Sequence, residues 1–123
     1  MSRTFQTGLG DWTQYRAMLG LSKCDEIDLH FDERTSGSFE DAMAEITVIV
    51  KKALCKAQAN GRGYVMFVHG WLTSRPGRIS ARSQVRGFMR SSAATPLIER
   101  RHCIQHATVF VARVRTLGRQ AGP

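Results

Sequence analysis

Two short stretches of this sequence end on histidine in the same way. Residues 26–31 read EIDLHF, an alternating run with Asp28 and His30 on its polar side. Residues 64–70 read YVMFVHG, an apolar run that stops at His69 and Gly70. Histidine moves protons near neutral pH. A carboxylate two residues away on the same strand face, as Asp28 is from His30, can orient an imidazole or hold a metal. His106, just ahead of a second alternating segment, completes a set of three. Arginines supply the other half of a phosphate chemistry. Arg75 and Arg78 flank Pro76-Gly77 in the loop after His69, and Arg78, Arg82, Arg86 and Arg90 recur every four residues. Guanidinium groups bind phosphate in bidentate fashion. Arginine beside imidazole is therefore what holding, and in principle cleaving, a phosphodiester requires. No zinc site is expected from these histidines. Nothing in the pattern demands a resident cofactor; a divalent metal, Mg²⁺ or Mn²⁺, is one that a hydrolase built on these residues could use.

The elements that would position these groups follow from periodicity. Glu26–His30 alternates as a strand does, with Ile27 and Leu29 on one face. Ser38 and Asp41 form a capping-box-like pair at the start of a helix that runs to about Ala59. Ala42, Ile46, Ile49, Val50, Ala53, Leu54 and Ala57 make its buried face, and Asn60-Gly61 ends it. Tyr64–His69 lacks alternation, which suits a central strand covered on both sides. Two strands joined by such a helix predict a βαβ unit with parallel strands. A second helix is expected from about Ser80 to Ser92, with Ala81, Val85, Phe88 and Met89 as its core stripe. A short strand is expected within Leu97–Cys103, and a clear one over Ala107–Arg115. The fold class is thus α/β: a small two-layer sandwich, βαβαββ in order, with a mixed sheet of about four strands and two main helices. Residues 26–116 would form this domain. Residues 1–25 read as an N-terminal extension with a short helix from Asp11, able to dock on the domain or on a second copy in a homo-oligomer, and 117–123 as a flexible tail.

Parallel strands present their carboxyl ends at one edge, where open α/β sheets carry their sites. His30 and His69 belong to that edge. His106 joins them if the last strand is antiparallel.

Charge separates along the chain. Residues 46–123 carry fourteen Lys and Arg against Glu99 alone, within a whole-chain net charge of +8. A field of that kind attracts polyanions. Nucleic acid, DNA or RNA, is the expected partner. No apolar run approaches the roughly 20 residues that span a bilayer, and no membrane partner is expected. The first residues lack an apolar signal region. Cys24, Cys55 and Cys103 are odd in number and widely spaced, which predicts reduced thiols and a cytoplasmic protein. Cys103 lies near His102 and His106, but no partner arrangement marks it as a nucleophile.

IDLHF, the long amphipathic helix, YVMFVHG, a second helix and a final alternating strand together resemble the Smr (small MutS-related) domain. That family has a D-L-H motif on its first strand and an H-G-x-G motif after its second. The resemblance covers about residues 26 to 115. It implies a four-stranded α/β sandwich that binds DNA or RNA and in several members nicks it. By position, Asp28, Leu29 and His30 match the first motif, and His69 and Gly70 match the start of the second. Leu72 stands where the second motif's later glycine falls, and Gln105-His106 stand where the family carries a glycine-rich turn.

The resulting expectation is a nucleic-acid-binding domain that uses Gly70, Arg75, Arg78, Arg82, Arg86, Arg90 and His106. Endonuclease activity would fall to His30 and His69, with Asp28 orienting. The rival classes are a non-catalytic binding or adaptor module and a metal-dependent hydrolase unrelated to nucleic acid.

Overall fold

A computed structural model describes residues 5–29, 39–69 and 81–116 of the chain. The elements in order are β1 (Gln6–Thr7), α1 (Gln14–Met18), β2 (Glu26–Asp28), α2 (Phe39–Ala59), β3 (Tyr64–Val68), α3 (Ala81–Arg90), β4 (Ile104–Gln105) and β5 (Val109–Arg113). Single 3-10 turns lie at Lys23–Asp25, Ser92–Ala94 and Arg100–His102. The fold is α/β with one mixed sheet in the order β1-β4-β5-β3-β2.

The βαβ unit forms as its periodicity predicts. β2 pairs parallel to β3, with Asp28 opposite Val68. Between them α2 buries Ile46, Val50, Leu54 and Ala57. Its end is a Schellman motif: Arg62 N–H reaches Ala57 O at 2.9 Å and Gly61 N–H reaches Gln58 O at 3.3 Å. Gly61 sits at φ +70°, which only a residue without a Cβ adopts at little cost. The N-terminal cap expected at Ser38 lies outside the described residues. On α3, Val85, Phe88 and Met89 are buried, as their spacing requires.

The sheet divides the core in two. On the helical face, Val65, Phe67, Phe110, Ala112 and Val114 pack with the stripes of α2 and α3. On the other face, Met66, Val109 and Val111 pack with Tyr15, and Trp12, Leu19, Leu21 and Ile104 border them. This accounts for the unbroken apolar run of β3. Both faces are covered, and the second cover is the N-terminal segment.

Residues 5–25 dock on the domain, as the sequence allowed, and a first correction is that they do so as part of its sheet. Gln6 N–H bonds to Cys103 O at 2.9 Å and Gly8 N–H to Gln105 O at 3.0 Å. β1 so joins β4 as a fifth strand, parallel to it. Gly8 admits close packing, because a Cβ there would overlap Tyr15 Oη and Ile104 Cγ2. Asp11 Oδ1 accepts from Thr13 N–H and Thr13 Oγ1–H, an Asx turn that leads into α1. Segment 97–103 is a second correction. Ile98 makes one antiparallel bridge to Val114. The chain then turns through Arg100–His102, so the pairing strand is displaced to Ile104–Gln105. Among the described residues no helix is long and apolar enough to cross a membrane.

Candidate functional site

β1, β2, β3 and β4 all run the same way, and β5 alone runs against them. Their carboxyl ends share one edge with the start of β5. Asp28 closes β2 there. His69 follows β3, and its N–H bonds to Thr108 O at 3.1 Å, which extends the β3–β5 ladder by one step. His106 lies in the turn from β4 to β5 rather than on β5. Three groups singled out by sequence thus lie at one edge, as the topology predicts.

Sharing an edge does not bring them to one point. Side chains alternate faces along a strand. Asp28 registers with Val68, on the face covered by the N-terminal segment. Val65 and Phe67 face the helices, and alternation carries His69 to that side. His69 is only 5% exposed. His106 belongs to the face of Tyr15, but β4 is three strand spacings from β2, about 14 Å at 4.7–4.9 Å each. His106 is therefore held away from Asp28, while His69 turns to the opposite face of the sheet. His30, Gly70, Arg75 and Arg78 lie outside the described residues.

His106 has a different occupation. It is 6% exposed. Thr108 N–H donates to its Nδ1 at 3.0 Å. That leaves Nε2 to carry the proton and donate to Gly10 O at 2.6 Å. The ring stands edge-on to Tyr15, centroids 6.0 Å apart. Both nitrogens are engaged within the chain, so this side chain clamps the β4–β5 turn to the N-terminal segment and has no donor left for a phosphate.

The arginines of α3 follow that same hairpin. Arg82 Nη1 donates to Ala107 O at 3.3 Å, Arg86 Nη2 to His106 O at 3.2 Å, and Arg90 Nη2 to Gln105 Oε1 at 3.3 Å. The four-residue spacing of the helix thus meets three successive hairpin residues. Arg82 and Arg86 are half-buried and Arg90 is exposed. Burial pushes the Arg86 guanidinium below its ordinary value, and the charges of Arg82 and Arg90 push it the same way. Arginine nonetheless stays charged at neutral pH. Among the described residues no carboxylate forms an ion pair with any of the three; the pairs there are Arg16–Glu26 and Arg62–Asp25. The row concentrates positive charge on α3, with no carboxylate paired to it among the described residues.

Sequence reasoning missed Arg100. Its Nε donates to Met89 O at 2.9 Å, Nη2 to Ser91 O at 2.6 Å and Nη1 to Thr95 Oγ1 at 3.1 Å. It satisfies carbonyls at the end of α3 from ten residues downstream. No helical period marks such a residue; a cation shortly after a helix that ends without glycine is the only signal. Cys103 is fully buried, its thiol pushed up to about 11 by burial. It accepts from Arg113 N–H and donates to Glu99 O, each at 3.4 Å, and so is a packing residue. Among the described residues no three His, Cys, Asp or Glu side chains gather as a metal site.

A scan against protein-family models finds no match, and searches of curated proteins and of solved structures find none either.

Proposed function

We propose that this chain is an Smr-like nucleic-acid-binding domain that holds the phosphate backbone along α3. The observation that carries this reading is the row Arg82, Arg86, Arg90, three neighbouring guanidiniums with no carboxylate partner among the described residues. Among the described residues each spends one hydrogen bond on the hairpin; a guanidinium has five N–H groups, of which only the buried Nε–H of Arg86 is closed to an incoming anion. Donors therefore remain for phosphate oxygens, while the hairpin bonds hold the side chains in place and lessen the entropy lost on binding. The excess of Lys and Arg after residue 45 extends the same field.

Binding without hydrolysis is the reading the geometry supports best. Asp28 and His69 end neighbouring strands, but the pleat directs them to opposite faces. The compartment we propose is a reducing, cytoplasmic one, because all three cysteines are free and two of them, Cys24 and Cys55, are exposed.

The test is a salt titration of binding to duplex DNA, single-stranded DNA and structured RNA. Affinity should fall steeply with salt as neutralised phosphates release counterions. Replacing Arg82 and Arg86 together by Gln keeps an N–H donor for the hairpin and removes the charge. This variant should bind weaker by a similar factor on every sequence and flatten the salt slope by about 2. Absence of binding at low salt, or binding indifferent to salt, overturns the reading.

A further inference from the structure

The arginine row ends in a cavity of about 630 Å³ beneath the carboxyl end of α3. Phe5, just before β1, Thr7 of β1 and Gln105 of β4 form its sheet side. Arg90, Ser92, Thr95 and Arg100 form its helix side. Its volume falls within the roughly 300–1,000 Å³ of small-molecule sites. Among the described residues no carboxylate lines it.

The chemistry of the walls is specific. Helix carbonyls carry partial negative charge at this end. Arg100 covers Met89 O, within α3, and Ser91 O just beyond it. Its charge offsets those carbonyls at this wall, and one N–H on each Nη remains for a ligand. Arg90 has a single hydrogen bond among the described residues, to Gln105 Oε1 at 3.3 Å, which leaves most of its N–H groups for an anion. The same bond orients the Gln105 amide and leaves its NH₂ as a donor. Phe5 offers an aromatic ring held edge-on by Phe110 at 5.0 Å. Arg90 already lies over that ring, 5.9 Å from its centroid, so ring and guanidinium form one stacking platform. Thr7 and Ser92 add hydroxyls at the rim, and the Thr95 hydroxyl accepts from Arg100 while its own proton is free to donate.

We propose that this cavity binds one nucleoside monophosphate unit. The phosphate lies on Arg90 and Arg100, the sugar meets the hydroxyls, and the base stacks on the Phe5–Arg90 platform beside the Gln105 amide. The unit comes either from a free mononucleotide or from an unstacked nucleotide of a strand lying along Arg82 and Arg86; the second source rests on the function proposed above. A concave site of this size takes a splayed base and not a base pair.

The experiment titrates the full chain at low salt with AMP, UMP, adenosine, uridine and inorganic phosphate, by calorimetry or amide NMR. Single-stranded and duplex oligonucleotides form a separate arm. Both monophosphates should bind more tightly than the nucleosides and than phosphate, with shifts at Phe5, Gln105 and Ser92. Ser92→Glu puts a carboxylate at an exposed 3-10 N-terminus, where it suits the backbone. It should weaken monophosphate binding at least ~10-fold through repulsion, and single strands more than duplex. Its folding is checked by its thermal transition, and Thr7→Val, which keeps shape and charge, should weaken the monophosphates by only a few-fold. Phosphate binding as tightly as AMP, or Ser92→Glu without effect, overturns the proposal. Oligonucleotides that bind while mononucleotides do not would overturn it and leave the backbone reading intact. Mononucleotides that bind while no oligonucleotide does would support the cavity and end that reading.

Discussion

His106 and Gly10 stand 96 residues apart in sequence and 2.6 Å apart in space, Nε2 against carbonyl oxygen. The bond closes the sheet's far side over the N-terminal segment. With Thr108 N–H on the other ring nitrogen, it gives His106 a structural role that its type alone would not suggest. His106→Ala leaves the buried Thr108 N–H unpaired and a void against Tyr15. The expected cost is about 2–4 kcal/mol, from the unpaired group and the lost packing together. Chemical denaturation measures it. Nucleic-acid affinity, measured where the variant is still folded, should change less than about threefold. A large loss of affinity with stability unchanged would instead return His106 to the binding surface.

The Asp25–Arg62 pair ties the turn before β2 to the turn that ends α2. Arg62 Nε and Nη2 reach the two carboxylate oxygens at 2.8 and 2.7 Å, and Ser22 N–H adds a third bond at 2.9 Å. Arg62 is the main cause that holds the Asp25 carboxyl below its usual range, against the opposing effect of burial. The folded value thus lies below the unfolded one, near 3.9. The carboxylate stabilises the fold at all pH above that unfolded value, and the contribution is lost as pH falls through the folded value. Asp25→Asn should cost about 2 kcal/mol at pH 7. The gap to wild type should narrow only below about pH 4. Urea titrations from pH 7 to pH 3 test this; a gap constant across the range would count against it.

Much of this was legible from residue types and spacing, for stated reasons. The α2 stripe from Ile46 to Ala57 is long enough that only one face satisfies it, and the apolar run of β3 required covers on both sides. The identity of the second cover was not legible. Trp12, Tyr15 and Leu19 have helical spacing, but a five-residue helix carries no mark of where it docks. β1 is two residues long, too short for alternation to register. The site was half legible. Topology puts Asp28, His69 and His106 at one edge, yet the pleat, which decides the face, depends on a register that sequence does not state. The arginine period was plain; that its members follow hairpin residues 105 to 107 was not, because those are acceptors any sequence would offer.

Cysteine reactivity should separate the three thiols. Cys24 and Cys55 are exposed, and Cys103 is wholly buried with its thiol near 11. At pH 8 about one Cys103 in a thousand would be thiolate, the reactive form. A thiol reagent should label two cysteines on the folded protein and the third only on unfolding, counted by intact mass. Rapid labelling of all three would show the Cys103 site to be open.

Hydrolysis is the sharper question, and the strand pleat bears on it directly. Cleaving a phosphodiester requires a base near the nucleophile and an acid near the leaving oxygen, each within about 2.6–3.2 Å of its proton. Asp28 and His69 lie at the ends of adjacent strands, but the register assigns Asp28 to the face of Val68 and alternation assigns His69 to the face of Phe67. Opposite faces disfavour one phosphate meeting both. The expected outcome is that wild-type protein shifts DNA or RNA at low salt while supercoiled plasmid and structured RNA stay intact, with Mg²⁺, with Mn²⁺ or with EDTA. Nicks would reverse this conclusion. If they appear, His30→Ala should abolish them by about 10²-fold or more with binding retained, whereas Arg82→Gln with Arg86→Gln should lose binding first. Cleavage that EDTA abolishes and that Asp28→Asn also removes would assign the edge to a metal-dependent hydrolase.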